Sequence, residues 1–126
     1  MDDLVRWLRA QLDMDERIAR EAGDSFRQIG ETGVIVATEG DRAEECASAN
    51  WAGIAEHIVA WDPSRVLREI EAKRRLIAEH RQAQPRWCVV CDVPSDYQGR
   101  EFGCTTLRLL ALPYADRPGY RQAWRP

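Results

Sequence analysis

The sequence lacks the long apolar runs and the leader segment that mark membrane and secreted proteins. Its uncharged apolar stretches fall far short of the ~18 residues that a membrane-spanning helix needs, so no transmembrane helix is expected. The first residues are acidic, and no apolar segment with a small-residue cleavage site follows them. We therefore expect a cytoplasmic protein that does not associate with membranes and whose thiols stay reduced.

Catalytic motifs are absent from the sequence as well. It has no phosphate-binding glycine loop, no H-E-x-x-H pattern and no recognisable set of nucleophile, base and orienting group. His57 near Asp62 could act as a general base or a second metal ligand, but a partly buried histidine at a helix junction explains it better. We assign no catalytic residue and expect neither enzyme activity nor a small-molecule substrate.

Cysteine and histidine are few, yet most of them fall in one stretch. The chain has four cysteines and two histidines, of which His80, Cys88, Cys91 and Cys104 lie within twenty-five positions. One imidazole and three thiolates form a closed Cys3His zinc set, and in a reducing compartment a Cys-x-x-Cys pair favours metal binding over a disulfide. The sequence therefore predicts a structural zinc ion held by these four residues.

Other interpretations of the cysteines stay open. Cys46 with the three later cysteines would give a four-thiolate zinc or iron–sulfur centre, and three cysteines alone would leave one coordination position open. The four residues could also be unliganded. Cys46 lies in a segment of ambiguous pattern and is expected to be buried, as free cysteines usually are.

The hydrophobic pattern predicts an α+β fold in a single small domain of residues 1–126. Apolar residues recur at helical spacing from about 3 to 21, from 51 to 60 and from 63 to 80. Asp62-Pro63 is a typical helix start, because the aspartate accepts from first-turn amides and proline needs no donor there. We expect these amphipathic helices to pack around a β-hairpin or a small antiparallel sheet.

The strand signal lies between the first two helices. Residues 34–38 are a β-branched run bounded by glycine-containing turns, which predicts a hairpin with 26–29 as its weaker first strand. A lone hairpin is marginal in water, so either residues 42–47 add a third strand or the first helix packs on it. Further along, a polar loop is predicted at 92–103 and a short helix at 105–112.

Charge is distributed unevenly along the chain. Residues 1–62, with an acidic helix and the hairpin, carry fourteen acids and six bases, net −8. Residues 63–126, with a basic helix, the four candidate zinc ligands and an aromatic tail, carry seven acids and twelve bases, net +5. This asymmetry predicts a polar interface with another protein or self-association, for which the tail offers Tyr120 and Trp124 because aromatic residues are enriched at interface centres.

Four stretches resemble one known family: HIVAWDPSRVL at 57–67, EAKRR at 71–75, CTTLRLLALPYAD at 104–116 and WRP at 124–126. The family consists of small actinobacterial and actinophage proteins known only as a domain of unknown function, and its members often have histidine where this chain has Trp61. The resemblance spans nearly the whole chain. It implies an actinobacterial or phage origin and no particular activity.

The sequence leaves the function unknown, and three hypotheses follow from these features. The first is a small zinc-stapled protein-interaction module that serves as an adaptor or regulator. The second is a nucleic-acid-binding regulatory protein that uses a basic helix of residues 65–86, although Glu69, Glu71 and Glu79 interleave with its bases. The third is a metal-dependent enzyme or a redox or iron–sulfur sensor.

Overall fold

The fold is given by a computed structural model that describes residues 3–84, 87–91, 93–94 and 104–126, without the side chains of 82–84, 87, 93 and 94. Helices and strands combine in the predicted α+β class. Within these ranges, no helix is both long and apolar enough to cross a membrane. In chain order the elements are α1 (Asp3–Glu21), β1 (Ser25–Gln28), β2 (Val34–Glu39), β3 (Arg42–Ser48), α2 (Ala52–Ala60), α3 (Pro63–Glu79), β4 (Gln82–Gln84), β5 (Trp87–Cys88), β6 (Val93–Pro94), α4 (Thr105–Ala111) and short 3-10 turns at Leu112–Tyr114 and Gln122–Trp124.

The chain divides into two compact units, one of residues 14–70 and one of residues 1–13 together with 71–126. Twelve acids and six bases give the first a net charge of −6, and nine acids and twelve bases give the second +3. The two units therefore carry opposite net charge, as the sequence predicts for the two halves of the chain. The change of sign falls at residue 71, inside α3, and not after residue 62. The single domain of residues 1–126 stays a prediction.

The unit of residues 14–70 is built on an antiparallel sheet in the order β1-β2-β3. Gln28 pairs with Ile35 across the first turn, and Glu39 pairs with Arg42 across the second. The alternative in which residues 42–47 add a third strand is thus confirmed. Helix α2 contacts β1 and β2, and Ile35 and Ala55 are fully buried.

Cys46 does not have the buried position that we expected, because it is exposed on β3. This strand lies at the edge of the sheet, and nearly all its side chains are exposed. The register shifts where Ile35 pairs with Ala47 and Val36 with Glu45, so Cys46 is the extra residue of a β-bulge. Free cysteines are usually buried, but the position on an edge strand leaves Cys46 exposed.

Asp62 performs the predicted capping role and also connects α3 to the sheet. One carboxylate oxygen accepts from the backbone N–H of Arg65 at 3.0 Å, and the other accepts from the backbone N–H of Phe26 at 3.2 Å. The hydroxyl of Ser64 donates to the carbonyl of Asp24. A two-residue signal in the sequence therefore fixes both the start of α3 and its place beside β1.

The turns of this sheet provide a first test of the fold. Gly33 has a φ of +79°, and a Cβ there would collide with the backbone carbonyl of Ala49. Gly30 also has a positive φ, +59°, but a Cβ there would meet nothing within 4 Å. We expect Gly30→Ala to cost about 1–2 kcal/mol of unfolding free energy from backbone strain alone. Gly33→Ala should cost at least about 1 kcal/mol more, because the collision adds to the strain. Urea denaturation measures both, and equal losses would contradict the Ala49 contact.

The other unit has its core along one face of α1. Leu4, Leu8 and Leu12 recur at helical spacing and are fully buried, as the periodicity of the sequence predicts. Ile77 of α3 and Leu107 of α4 are buried in the same unit. Burial of each such side chain stabilises the fold by roughly 1.5–3 kcal/mol.

The aromatic tail folds back onto α1. The ring centre of Trp124 lies 5.4 Å from that of Trp7 and 5.8 Å from that of Tyr120, while Trp7 and Tyr120 are 5.6 Å apart. The indole N–H of Trp7 donates to the carbonyl of Pro118 at 3.0 Å. Trp124 is 1% exposed, so its contacts lie within its own chain.

Candidate metal centre

His80 directly follows α3. Its backbone N–H still donates to the Leu76 carbonyl at 3.0 Å, which keeps the residue in the last helical turn. The imidazole is buried, with 7% of the residue exposed, and Ile77 one turn earlier is 3% exposed. Leu76, which the sequence pattern also placed on the buried face, is 38% exposed. The rigid end of a long helix therefore positions the imidazole.

Cys88 and Cys91 lie on a hairpin that the sequence analysis missed. Strands β4, β5 and β6 form a second antiparallel sheet, in which Cys88 pairs with Gln82 on one side and Val93 on the other. These strands have only two or three residues, too few for an alternating pattern to be recognised. The chain reverses direction in the turn after Cys88. In this turn the backbone N–H of Cys91 donates to Cys88 Sγ, with 3.5 Å between the nitrogen and the sulfur.

Cys104 is the N-cap residue of α4 and is 1% exposed. Its backbone carbonyl accepts from the N–H of Arg108, which begins the helix. Of the polar loop predicted at 92–103, residues 93–94 form β6, and the rest lie outside the described residues. Thr106, in the first turn of α4, has its hydroxyl 3.9 Å from Cys91 Sγ. In the sequence, the only sign of this contact is that Thr106 lies two residues after a candidate ligand.

The four predicted ligands come together in the structure. His80 Nδ1 lies 3.5 Å from Cys88 Sγ, 3.5 Å from Cys91 Sγ and 3.6 Å from Cys104 Sγ, and all four ligand atoms lie within 4.8 Å of one another. A tetrahedral zinc ion with bonds of ~2.3 Å to sulfur and ~2.0–2.1 Å to nitrogen would separate these atom types by about 3.5–3.6 Å. The group could therefore hold a metal ion, and its spacing is compatible with zinc.

The electrostatics of the group favour a bound cation. Burial opposes ionisation of Cys88, but the backbone amides of Cys91 and Val90 and the His80 side chain outweigh it, so the pKa of the Cys88 thiol falls to about 7. Burial raises the pKa of the Cys104 thiol to about 12; the Leu107 amide opposes this rise, and the charge of nearby Cys88 adds to it. Without a cation, the site thus accommodates one thiolate much more easily than three.

Two other candidate residues are not part of this group. Cys46 is exposed on β3, and the fourth position that it would fill in a four-cysteine centre is taken by His80. His57 is exposed instead of partly buried, and its ring centre lies 6.3 Å from that of Trp61. The structure therefore brings together the Cys3His set and not its four-cysteine rival.

The basic helix is shorter than the predicted 65–86, and most of its bases have partners within the chain. Helix α3 ends at Glu79, residues 82–84 form β4, and residues 85–86 lie outside the described residues. Four of the five bases of α3 contact acidic or phenolic groups: Arg65 contacts Glu69 at 3.3 Å, Arg74 contacts Asp13 at 2.7 Å, Arg75 contacts Glu71 at 3.3 Å and Lys73 donates to the Tyr114 hydroxyl at 3.1 Å.

Comparison with known proteins gives a family and no function. No curated protein matches the chain, and no solved structure matches it. The model of one family does match, and the match covers residues 1–126, in agreement with the resemblance that the sequence motifs indicate. The chain therefore belongs to the family of unknown function DUF6221.

Proposed function

We propose that the chain is a small zinc-stapled interaction module in which His80, Cys88, Cys91 and Cys104 hold one structural zinc ion. The observation that supports this most strongly is the set of three nitrogen-to-sulfur distances, 3.5, 3.5 and 3.6 Å, which match the edge of a zinc tetrahedron. Thiolate and imidazole are also the donors that zinc prefers in structural sites.

The ion would supply positive charge and a crosslink. Its charge would keep three buried thiolates ionised, and its bonds would join the end of α3, the turn after β5 and the start of α4. Four protein ligands complete the coordination, which is typical of structural zinc and leaves no position for a substrate. This supports a role in folding and presentation of a surface.

Exposed apolar side chains beside the ligands support an interaction role. Val89 and Val90, which separate Cys88 from Cys91, are 37% and 54% exposed. A turn fixed by a metal ion presents such side chains at a low entropic cost on binding. We propose that this surface contacts another protein as an adaptor or regulator would.

Nucleic-acid binding has weaker support. The ion pairs and the hydrogen bond along α3 use charges that phosphate contacts would need, and Arg65 also lies 4.0 Å over the ring of Trp61. Retention on DNA that falls steeply as salt rises would restore this hypothesis.

Metal analysis tests the proposed function directly. We expect elemental mass spectrometry of the purified protein to find one zinc per chain, and cobalt substitution to give the visible absorption of tetrahedral thiolate coordination. Chelation should lower the melting temperature, because the ion contributes on the order of 10 kcal/mol in small domains. Iron with inorganic sulfide would identify an iron–sulfur centre instead. A metal-free protein whose stability is unchanged by chelator would refute the site.

A further inference from the structure

The outward face of α2 carries little charge for an exposed surface. The side chains toward the sheet are apolar and buried or half-buried: Ile54, Ala55, Ile58 and Val59. The exposed side chains form one continuous arc of the helix: Ala52, Gly53, Glu56, His57 and Ala60. Most of them are small, and Glu56 is the one acid among them. Solvated helix faces are normally rich in charged residues, so this face fits a role in contact with another surface.

A tryptophan lies at each end of this arc. Trp51 is 65% exposed and Trp61 is 47% exposed. The indole of Trp51 folds over the first turn of α2, where a Cβ on Gly53 would lie 3.5 Å from its Cδ1 atom. The Trp61 ring is held by Arg65, whose guanidinium lies 4.0 Å from the ring centre. Tryptophans fixed at the margin of a small-residue face are typical anchors of protein interfaces.

We infer that this face pairs with the α2 helix of a second copy of the chain, with the two helices parallel about a two-fold axis. Ala60 lies near the middle of the arc, and its small side chain would let the two helices approach there, while the Trp51 indole that covers Gly53 would pack against the partner helix. Glu56 and His57 flank this seam on opposite sides, 100° apart on a helix of 3.6 residues per turn.

Charge complementarity selects the second copy and the parallel direction. A two-fold axis along the seam places Glu56 of each copy opposite His57 of the other, so that both carboxylates accept from an imidazole N–H. An antiparallel pair would instead place Glu56 opposite Glu56, where like charges repel, and would leave His57 opposite His57 without a carboxylate acceptor. The face is therefore self-complementary in one orientation.

The size of the face sets the expected affinity. One short helix and two indoles cover much less than the roughly 1,600 Å² of a standard interface, so we expect a dissociation constant on the order of micromolar. The net charge of −6 on residues 14–70 also repels a second copy, and this repulsion is screened at physiological salt.

A charge swap tests the arrangement by sedimentation equilibrium, over a concentration range up to about 300 µM for a micromolar complex. The wild type should dimerise. Glu56→Lys and His57→Glu should each weaken the dimer at least about tenfold, because by symmetry the first removes both carboxylate–imidazole pairs and the second places carboxylates opposite each other on both sides of the seam. The double variant Glu56→Lys/His57→Glu should restore it, since opposite charges face each other again. Glu31→Lys, an equal change at an exposed turn residue, should leave it unchanged.

The outcomes separate this inference from the zinc proposal, on which it depends only for the idea that the chain is an interaction module. All variants are measured with zinc bound and with circular dichroism as a check of folding. A zinc-loaded wild type that stays monomeric overturns the dimer and leaves the zinc proposal intact. A dimer unaffected by the single changes overturns the assignment to α2. A double variant weaker than either single one overturns the parallel direction.

Discussion

Replacing Cys91 with serine is expected to remove the zinc ion and to destabilise the protein strongly. Serine provides a poor ligand, and the loss of one of four bonds would leave Cys88 and Cys104 as buried thiols beside His80. Since structural zinc contributes on the order of 10 kcal/mol in small domains, we expect the zinc content to fall close to zero and the melting temperature to fall by roughly 10 °C or more. Calorimetry with zinc in excess measures the effect.

Cys46→Ser is the matched control for this change. It removes the same sulfur atom from an exposed position outside the four-residue group, so it should keep one zinc per chain and change stability by no more than about 0.5 kcal/mol. Loss of zinc from the Cys46 variant would revive the four-cysteine centre. A Cys91 variant with full zinc occupancy would show that Cys91 is not a ligand.

Trp124→Ala should have the second-largest effect. The side chain is 1% exposed and contacts the rings of Trp7 and Tyr120, so truncation leaves a large cavity between α1 and the tail. We expect a loss of about 3–5 kcal/mol of unfolding free energy, measured by urea denaturation. A loss below about 1 kcal/mol, the range of ordinary surface changes, would contradict the buried cluster.

The comparison variant for Trp124 is Trp51→Ala, whose ring is 65% exposed. At protein concentrations that keep the chain monomeric, this variant should lose much less stability. Light scattering of Trp124→Ala also tests the sequence-based prediction that the tail aromatics mediate self-association. An unchanged mass would leave the tail with its intramolecular role.

The long helices were the elements that the sequence specified best. In α1 and α3 the apolar stripes repeat over seventeen residues or more, and both helices end within one residue of their predicted bounds. Strand β3 was ambiguous because its side chains are exposed on both faces, which removes the alternation that identifies a half-buried strand. The short strands around Cys88 could not be predicted, because they are defined by pairing with neighbouring strands and not by a local sequence pattern.

The ligand set followed from chemistry and spacing, whereas its surroundings did not. Four donors of the right type in one stretch predicted the group, and the structure brings the same four atoms within 4.8 Å. The sequence could not indicate that amides of the turn lower the pKa of Cys88, since that depends on where the backbone N–H groups point. The predicted burial of Cys46 and partial burial of His57 were wrong, because the burial of single polar or small residues depends on tertiary position.

The unit that contains the metal group is discontinuous, since residues 1–13 complete it only with residues 71–126. Residues 14–70 are one contiguous segment, so they are synthesised before most of the other unit. The buried leucines of α1 belong to a unit whose other segment begins at residue 71, and contacts of such long sequence separation form slowly. The four-residue group needs Cys104 and the aromatic cluster needs Trp124, so both are complete only when nearly the whole chain has been made.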